Sequence, residues 1–154
     1  MLDDYDRKIL EALQTDGRLT NQQLAAKVNL SASQCSRRRT KLEKEGVIRG
    51  YHADIDHERL GYGLDVFISV TLATHNPDNS RRFAELIGRL PEVKEAHALT
   101  GEMDYMLKAS LPDLKSLNRL VIEALLPHES VQNVRSTIVL ETLKRTSELP
   151  VDPK

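Results

Sequence analysis

Two capping boxes in close succession, Thr20-Asn21-Gln22-Gln23 and Ser31-Ala32-Ser33-Gln34, fix where two short helices must begin. In such a box the hydroxyl accepts from the backbone N–H three residues on, and the glutamine reaches back to the cap N–H. Two donors that every helix start leaves open are thereby satisfied. Between the boxes, Leu24, Ala25 and Val28 fall on one face at helical spacing. Asn29 tolerates the left-handed backbone that ends a helix, and Leu30 plugs the turn. Two short helices across a tight turn, with a small alanine at the crossing, form the helix-turn-helix that lets the second helix enter a major groove.

The residues on that second helix suit such a role. Ser31, Ser33, Gln34, Ser36, Arg37, Arg38, Arg39 and Lys41 are the types that reach base edges and phosphates of double-stranded DNA. We expect Ser33, Gln34, Ser36, Arg37 and Arg38 to face the groove, with Lys41 and Arg18 nearer the phosphates. Arg49 and His52 would touch the backbone from the following segment. The whole chain has a formal net charge of -1, which excludes a general polyanion binder. Between Arg18 and Gly50, however, eight cations stand against two anions (Glu43 and Glu45), a local excess of six. A basic face on a neutral chain is the footprint of a nucleic-acid reader. The competing explanation is a solvated helix that happens to be basic, and the two boxes with the Ala-to-Asn turn weigh against it.

Other chemistry finds less support. Cys35 is the single cysteine, which excludes an internal disulfide, fits a reducing cytoplasm and reads as a small core residue. The histidines His52, His57, His75, His97 and His128 are scattered, so no metal site is expected. No apolar run is long enough to cross a membrane, and the acidic start MLDDYDRK has no apolar signal core. No cofactor is expected.

Along the chain, a first helix is expected from about Asp4 to Thr15, with Tyr5, Ile9, Leu10 and Leu13 as its apolar stripe. Residues 47–55 alternate in part and predict a strand pair or wing. Residues 56–63 read as a hinge. Beyond it the pattern is strand (64–74), helix (79–90), strand (96–100), turn (101–104), strand (105–111), helix (114–126) and strand (131–143). Strand-helix-strand twice over predicts a ferredoxin-like βαββαβ domain, with four antiparallel strands and both helices on one face. The chain is thus α+β. Its expected parts are a DNA-binding domain (1–55), a hinge (56–63), a second domain (64–145) and a frayed tail (146–154). A second copy is the simplest cover for the sheet's other face, where Phe67, Ser69 and Thr71 alternate with Val66, Ile68, Val70 and Leu72.

The stretches LDDYDRKILEALQTDGRLTNQQLA, VNLSASQCSRRRTKLEKEGVIRGY and TGEMDY resemble the Lrp/AsnC, or feast/famine, transcription regulators. The resemblance covers nearly the whole chain with the motifs in order. It implies a winged helix-turn-helix, a βαββαβ effector domain, and dimers that assemble into octamers and respond to an amino acid. One departure is Arg39, whose place is often Val or Ile in the family; an arginine there either snorkels to a phosphate or marks a slightly rotated helix. Which of Arg37, Arg38 and Arg39 reads bases therefore stays open. The resemblance also points to Thr100, Gly101, Glu102, Asp104 and Tyr105 as effector-binding residues. Gly101 would admit a ligand to the backbone, and Glu102 or Asp104 would accept from an α-ammonium group. The alternatives are an architectural DNA protein of low specificity and an amino-acid-processing enzyme. For the enzyme there is no nucleophile-base pair, metal spacing or Gly-rich phosphate loop.

Overall fold

In a computed structural model of the chain, residues 2–73, 76–146 and 148–151 are described. The expected end of the first strand at Thr74 lies outside them, as does part of the tail. The chain divides into two compact units, residues 1–54 with 144–154, and residues 55–143.

The first unit is three helices around one small core. Helix α1 (Asp4–Thr15) opens on a capping box in which Asp3 accepts from the Asp6 N–H and Asp6 from the Asp3 N–H. Helix α2 (Asn21–Val28) and helix α3 (Ala32–Lys44) open on the two boxes of the sequence, both fully formed. Asn29 ends α2 in the left-handed region, at φ 58° and ψ 48°. Ile9, Leu13, Leu19, Leu24, Val28, Cys35 and Leu42 are buried between the helices. Burial pushes the Cys35 thiol up, which keeps it protonated and inert. The described residues after Lys144 return to this unit: Gln14 donates to the Leu149 carbonyl at 3.0 Å and accepts from the Leu149 N–H at 2.7 Å.

Residues 47–55 do not form the expected strand pair within the chain. The N–H groups of Val47 and Ile48 turn back to the Leu42 carbonyl at 3.0 and 3.1 Å, over Gly46 at φ 71°. Those two donors close the end of α3 and take the start of the segment out of any ladder, and Gly50 weakens extension further.

In the second unit, strands β1 (Leu64–Leu72), β2 (Val93–Ala98), β3 (Tyr105–Leu111) and β4 (Val131–Ile138) form one antiparallel sheet in the order β2-β3-β1-β4. Helix α4 (Pro77–Ile87) starts earlier than the periodicity suggests, because Asn76 caps it and Pro77 occupies its first turn. Helix α5 (Leu114–Arg119) continues as a π-helical turn over Leu120–Leu125. The wider turn brings Leu120 and Leu125, five positions apart, to the same buried layer. Val66, Ile68, Val70, Leu72, Leu107, Ala109 and Leu111 cover one sheet face and pack against Phe83, Leu117, Leu120 and Leu125. This is the ferredoxin-like arrangement the sequence predicts. Strand β2 begins earlier than the sequence suggests, and β4 ends five residues sooner, leaving Leu140 and Leu143 exposed. The opposite sheet face carries half-exposed Phe67.

Candidate nucleic-acid interface and effector turn

Cys35 and Leu42 set the phase of α3, since both are fully buried. At 3.6 residues per turn, the face directly opposite them carries Ser33, Arg37, Thr40 and Lys44, with Ser36 beside it. Ser33, Arg37, Thr40 and Lys44 are exposed, and Arg37, Thr40 and Lys44 make no side-chain hydrogen bond or ion pair with any described residue. Thr40 and Lys44 were not among the expected contacts. Counting three or four residues at a time from Arg37 would have found them.

The other two arginines are committed elsewhere. Arg38 turns back to α1, where Nη1 donates to Asp3 Oδ2 at 2.6 Å and to Asp6 Oδ1 at 2.7 Å. Asp6 is fully buried, and Lys41 Nζ stands 3.9 Å from its other oxygen. The Asp6 N–H and the Arg38 guanidinium together hold the Asp3 carboxyl below the usual range, and the two carboxylates hold Arg38 above its own. Arg38 is therefore placed away from the face where it was expected, because a buried carboxylate one helix away needs its charge. Arg39 Nη1 donates to the Leu19 carbonyl at 2.9 Å and Nε to the Tyr51 hydroxyl at 2.8 Å.

Of the remaining expected contacts, Ser31 is occupied as the cap of α3, its hydroxyl accepting from the Gln34 N–H and donating to Gln34 Oε1. Gln34 has its Oε1 in that box and is exposed. Arg18 is almost fully exposed and pairs with Asp16 at 3.3 Å. Lys41 is half exposed, and Arg49 is exposed.

The turn after β2 divides in the same way. Thr100, Gly101 and Glu102 are exposed, and Gly101 sits at φ 119° with open space where a side chain would stand. Asp104 is partly buried and builds the sheet. Its N–H donates to the Val70 carbonyl at 3.1 Å, and its Oδ2 accepts from the Leu72 N–H at 2.6 Å. The register of β1 against β4 slips between Thr71 and Leu72. Strand β3 pairs with β1 only from Tyr105, opposite Val70, so the Leu72 N–H on that side lies beyond the ladder and the carboxylate takes it. Tyr105 packs its ring on Phe83, centroids 4.7 Å apart, so it belongs in part to the core.

A helix-turn-helix with an unpaired polar outer face, followed by a ferredoxin-like domain, defines a two-domain DNA-binding regulator. Residues 2–49 match the winged helix-turn-helix DNA-binding family, and residues 65–149 match the Lrp/AsnC ligand binding domain. The chain belongs to the Lrp/AsnC family of transcription regulators. It is 37% identical over 150 residues to the leucine-responsive regulatory proteins of Klebsiella pneumoniae and Escherichia coli K12, covering 97% of this chain and 92% of each relative. Among solved structures it resembles a transcriptional regulator from Neisseria meningitidis in complex with L-methionine (41% identity, 99% and 98% coverage, TM-score 0.95). It also resembles an AsnC family regulator from Agrobacterium tumefaciens (35% identity, 97% coverage of both chains, TM-score 0.91). Its relatives are named as regulators, not enzymes. Among the described residues, no helix is long and apolar enough to cross a membrane.

Proposed function

We propose that the chain binds paired half-sites on double-stranded DNA as a homodimer, which assembles further into an octamer, and that an amino acid alters that binding. The observation that carries the DNA reading is the division of the arginines. Arg37 is left free on the outer face of α3 while Arg38 and Arg39 are held inside the unit. Arg37, Ser33, Ser36 and the amide of Gln34 are the base readers in this reading, and Thr40 and Lys44 follow the groove toward the backbone. Arg18, Lys41 and Arg49 supply charge at its margins. Selection of bound sequences from a random duplex library tests it. Wild type should enrich a pseudo-palindrome with half-sites about one helical turn apart, or a multiple of that. Arg37→Ala should lose that enrichment.

For the effector, the open side of Gly101, flanked by Thr100 and Glu102, suits an amino acid. Free backbone amides meet the carboxylate, and Glu102 meets the ammonium group. Asp104 orients that turn from below. The names of relatives (leucine-responsive) and a neighbour's bound L-methionine support starting a ligand panel with aliphatic and thioether side chains. The half-exposed Phe67 face, with Met106 beside it across β1 and β3, is the surface for the second copy. Light scattering at micromolar concentration checks this, since a monomer alone would end the paired-site reading.

A further inference from the structure

At the end of the sheet opposite Gly101, the α4–β2 and β3–α5 connections enclose a cleft that the effector turn does not use. It lies within the second unit and has a volume of about 560 Å³, inside the range of small-molecule sites. Pro91, ahead of β2, and Pro112, after β3, line it from the two connections. Its apolar part is made by Leu111 and Leu120, both buried, and by the small side chain of Ala124. Hydrogen bonds hold the surrounding backbone. The Ser110 N–H donates to the Glu92 carbonyl at 3.1 Å, and Lys94 Nζ donates to the Pro91 carbonyl at 2.8 Å. From Tyr105 to Leu111 the chain runs the length of β3, so the cleft stands roughly 20 Å from the Gly101 turn.

Two further observations single the cleft out. Leu120 and Ala124 belong to the π-helical turn, a rare geometry that recurs at functional sites. Arg119, the residue just before that turn, also lines the cleft. It is exposed and makes no side-chain hydrogen bond or ion pair with any described residue. A guanidinium beside an apolar cleft suits a carboxylate, which it meets with two parallel hydrogen bonds. Glu92 and Glu123 line the cleft as well, so an ammonium group on the same molecule is accommodated.

We propose that this cleft is a small-molecule site separate from the Gly101 turn, and that it takes a carboxylate with an apolar body. An amino acid and the matching 2-oxo acid share that chemistry. The carboxylate lies on Arg119, and the body lies against Leu111, Leu120 and Ala124. Tyr62, from the segment just ahead of β1, lines the same cleft, so a bound molecule also touches the chain that leads into the sheet.

The test is calorimetric titration of the full chain with phenylpyruvate, L-phenylalanine and phenethylamine, three probes that share one ring. Each is carried to about 5 mM, which detects dissociation constants up to the millimolar range. Phenylpyruvate and phenylalanine should bind, and phenethylamine, which has no carboxylate, should bind at least tenfold more weakly. Arg119 is exposed, so its replacement keeps the fold. Arg119→Gln should weaken phenylpyruvate roughly tenfold or more, the loss of a charged hydrogen-bonding partner. Arg119→Lys keeps the charge without the fork and should fall between the two. A second reading locates the ligand. In protein labelled at the alanine methyls, the Ala124 signal, assigned with Ala124→Ser, should shift along the same titration. It should need about tenfold more phenylpyruvate in Arg119→Gln. Binding by phenylpyruvate and phenylalanine that separates the amino acid from the 2-oxo acid only in strength supports the shared carboxylate anchor. No heat from either carboxylate, equal affinity in Arg119→Gln, or binding that leaves Ala124 unmoved overturns the proposal. Phenethylamine binding as tightly as phenylpyruvate overturns it too.

Discussion

Replacing Arg38 by methionine separates two roles that an arginine on a recognition helix can have. In this structure it neutralises Asp6, whose side chain is 1% exposed, and it also holds the cap residue Asp3. Removing one partner of a buried ion pair costs about 3–5 kcal/mol, because the other charge is left without compensation. Here Lys41 remains 3.9 Å from Asp6, and the Arg38 side chain is itself 24% exposed, so water reaches the vacated site. The expected loss is therefore at the lower end, roughly 2–3 kcal/mol. For a unit of this size, that is a fall in melting temperature of roughly 10–20 °C. Differential scanning calorimetry and urea unfolding of wild type, Arg38→Met, Asp6→Asn and the double variant give the measure. The double variant should recover most of the stability, since no buried charge then lacks a partner. Well below its melting temperature, Arg38→Met should keep operator affinity within a few fold. Loss of operator binding with an unchanged melting temperature would show that Arg38 leaves Asp6 to contact DNA, and would refute the assignment.

The remaining expectations are direct. Arg37→Ala should weaken operator binding by roughly 1–3 kcal/mol and relax selectivity at one position of each half-site, read by competition with altered duplexes. Lys44→Ala should weaken all sequences alike and lower the slope of log affinity against log salt by about one. Asp104→Ala should destabilise the second unit by about 1–3 kcal/mol by leaving the Leu72 N–H without its acceptor, on top of any change in ligand response, and circular dichroism melting separates the two effects. The carboxyls of Asp3 and Asp113 are both held below the usual range, each chiefly by a backbone N–H at a helix start. Such groups contribute stability that is complete above the ordinary carboxylate range and lost as pH falls through their lowered folded values. Stability should therefore decline on the acid side of that range, and Asp113→Asn should flatten the decline in a pH series of urea midpoints.

Much of the fold was legible because its signals are local. The capping boxes at Thr20 and Ser31 and the left-handed Asn29 are decided by residues three or four apart, and the structure forms them as written. The ferredoxin-like order followed from alternation and helical periodicity in segments of ordinary length. The misreadings came where a distant group decided the outcome. Arg38 sits in an unbroken run of three arginines, and Asp3 and Asp6, thirty-five and thirty-two positions earlier, draw it inward. Arg39 looked out of place on a packed flank until Tyr51 and the Leu19 carbonyl supplied its partners. The strand pair over 47–55 failed because the end of α3 claimed the donors of Val47 and Ile48. Asp104 read as a candidate ligand contact, and its carboxylate also takes the Leu72 N–H just beyond the start of β3, a pairing thirty-two positions apart that no local pattern reports.

The central claim is that the outer face of α3 reads a specific duplex and that an amino acid changes this reading. Anisotropy titration of wild type on its selected operator, with excess bulk DNA and with leucine, methionine and the other amino acids in turn, tests both halves at once. The operator should hold about a thousandfold or greater preference over bulk DNA. At least one amino acid should shift operator affinity by roughly 5–150-fold, with the shift absent when the other amino acids are added alone. Equal competition by bulk DNA, or identical binding curves with every amino acid, would contradict the account.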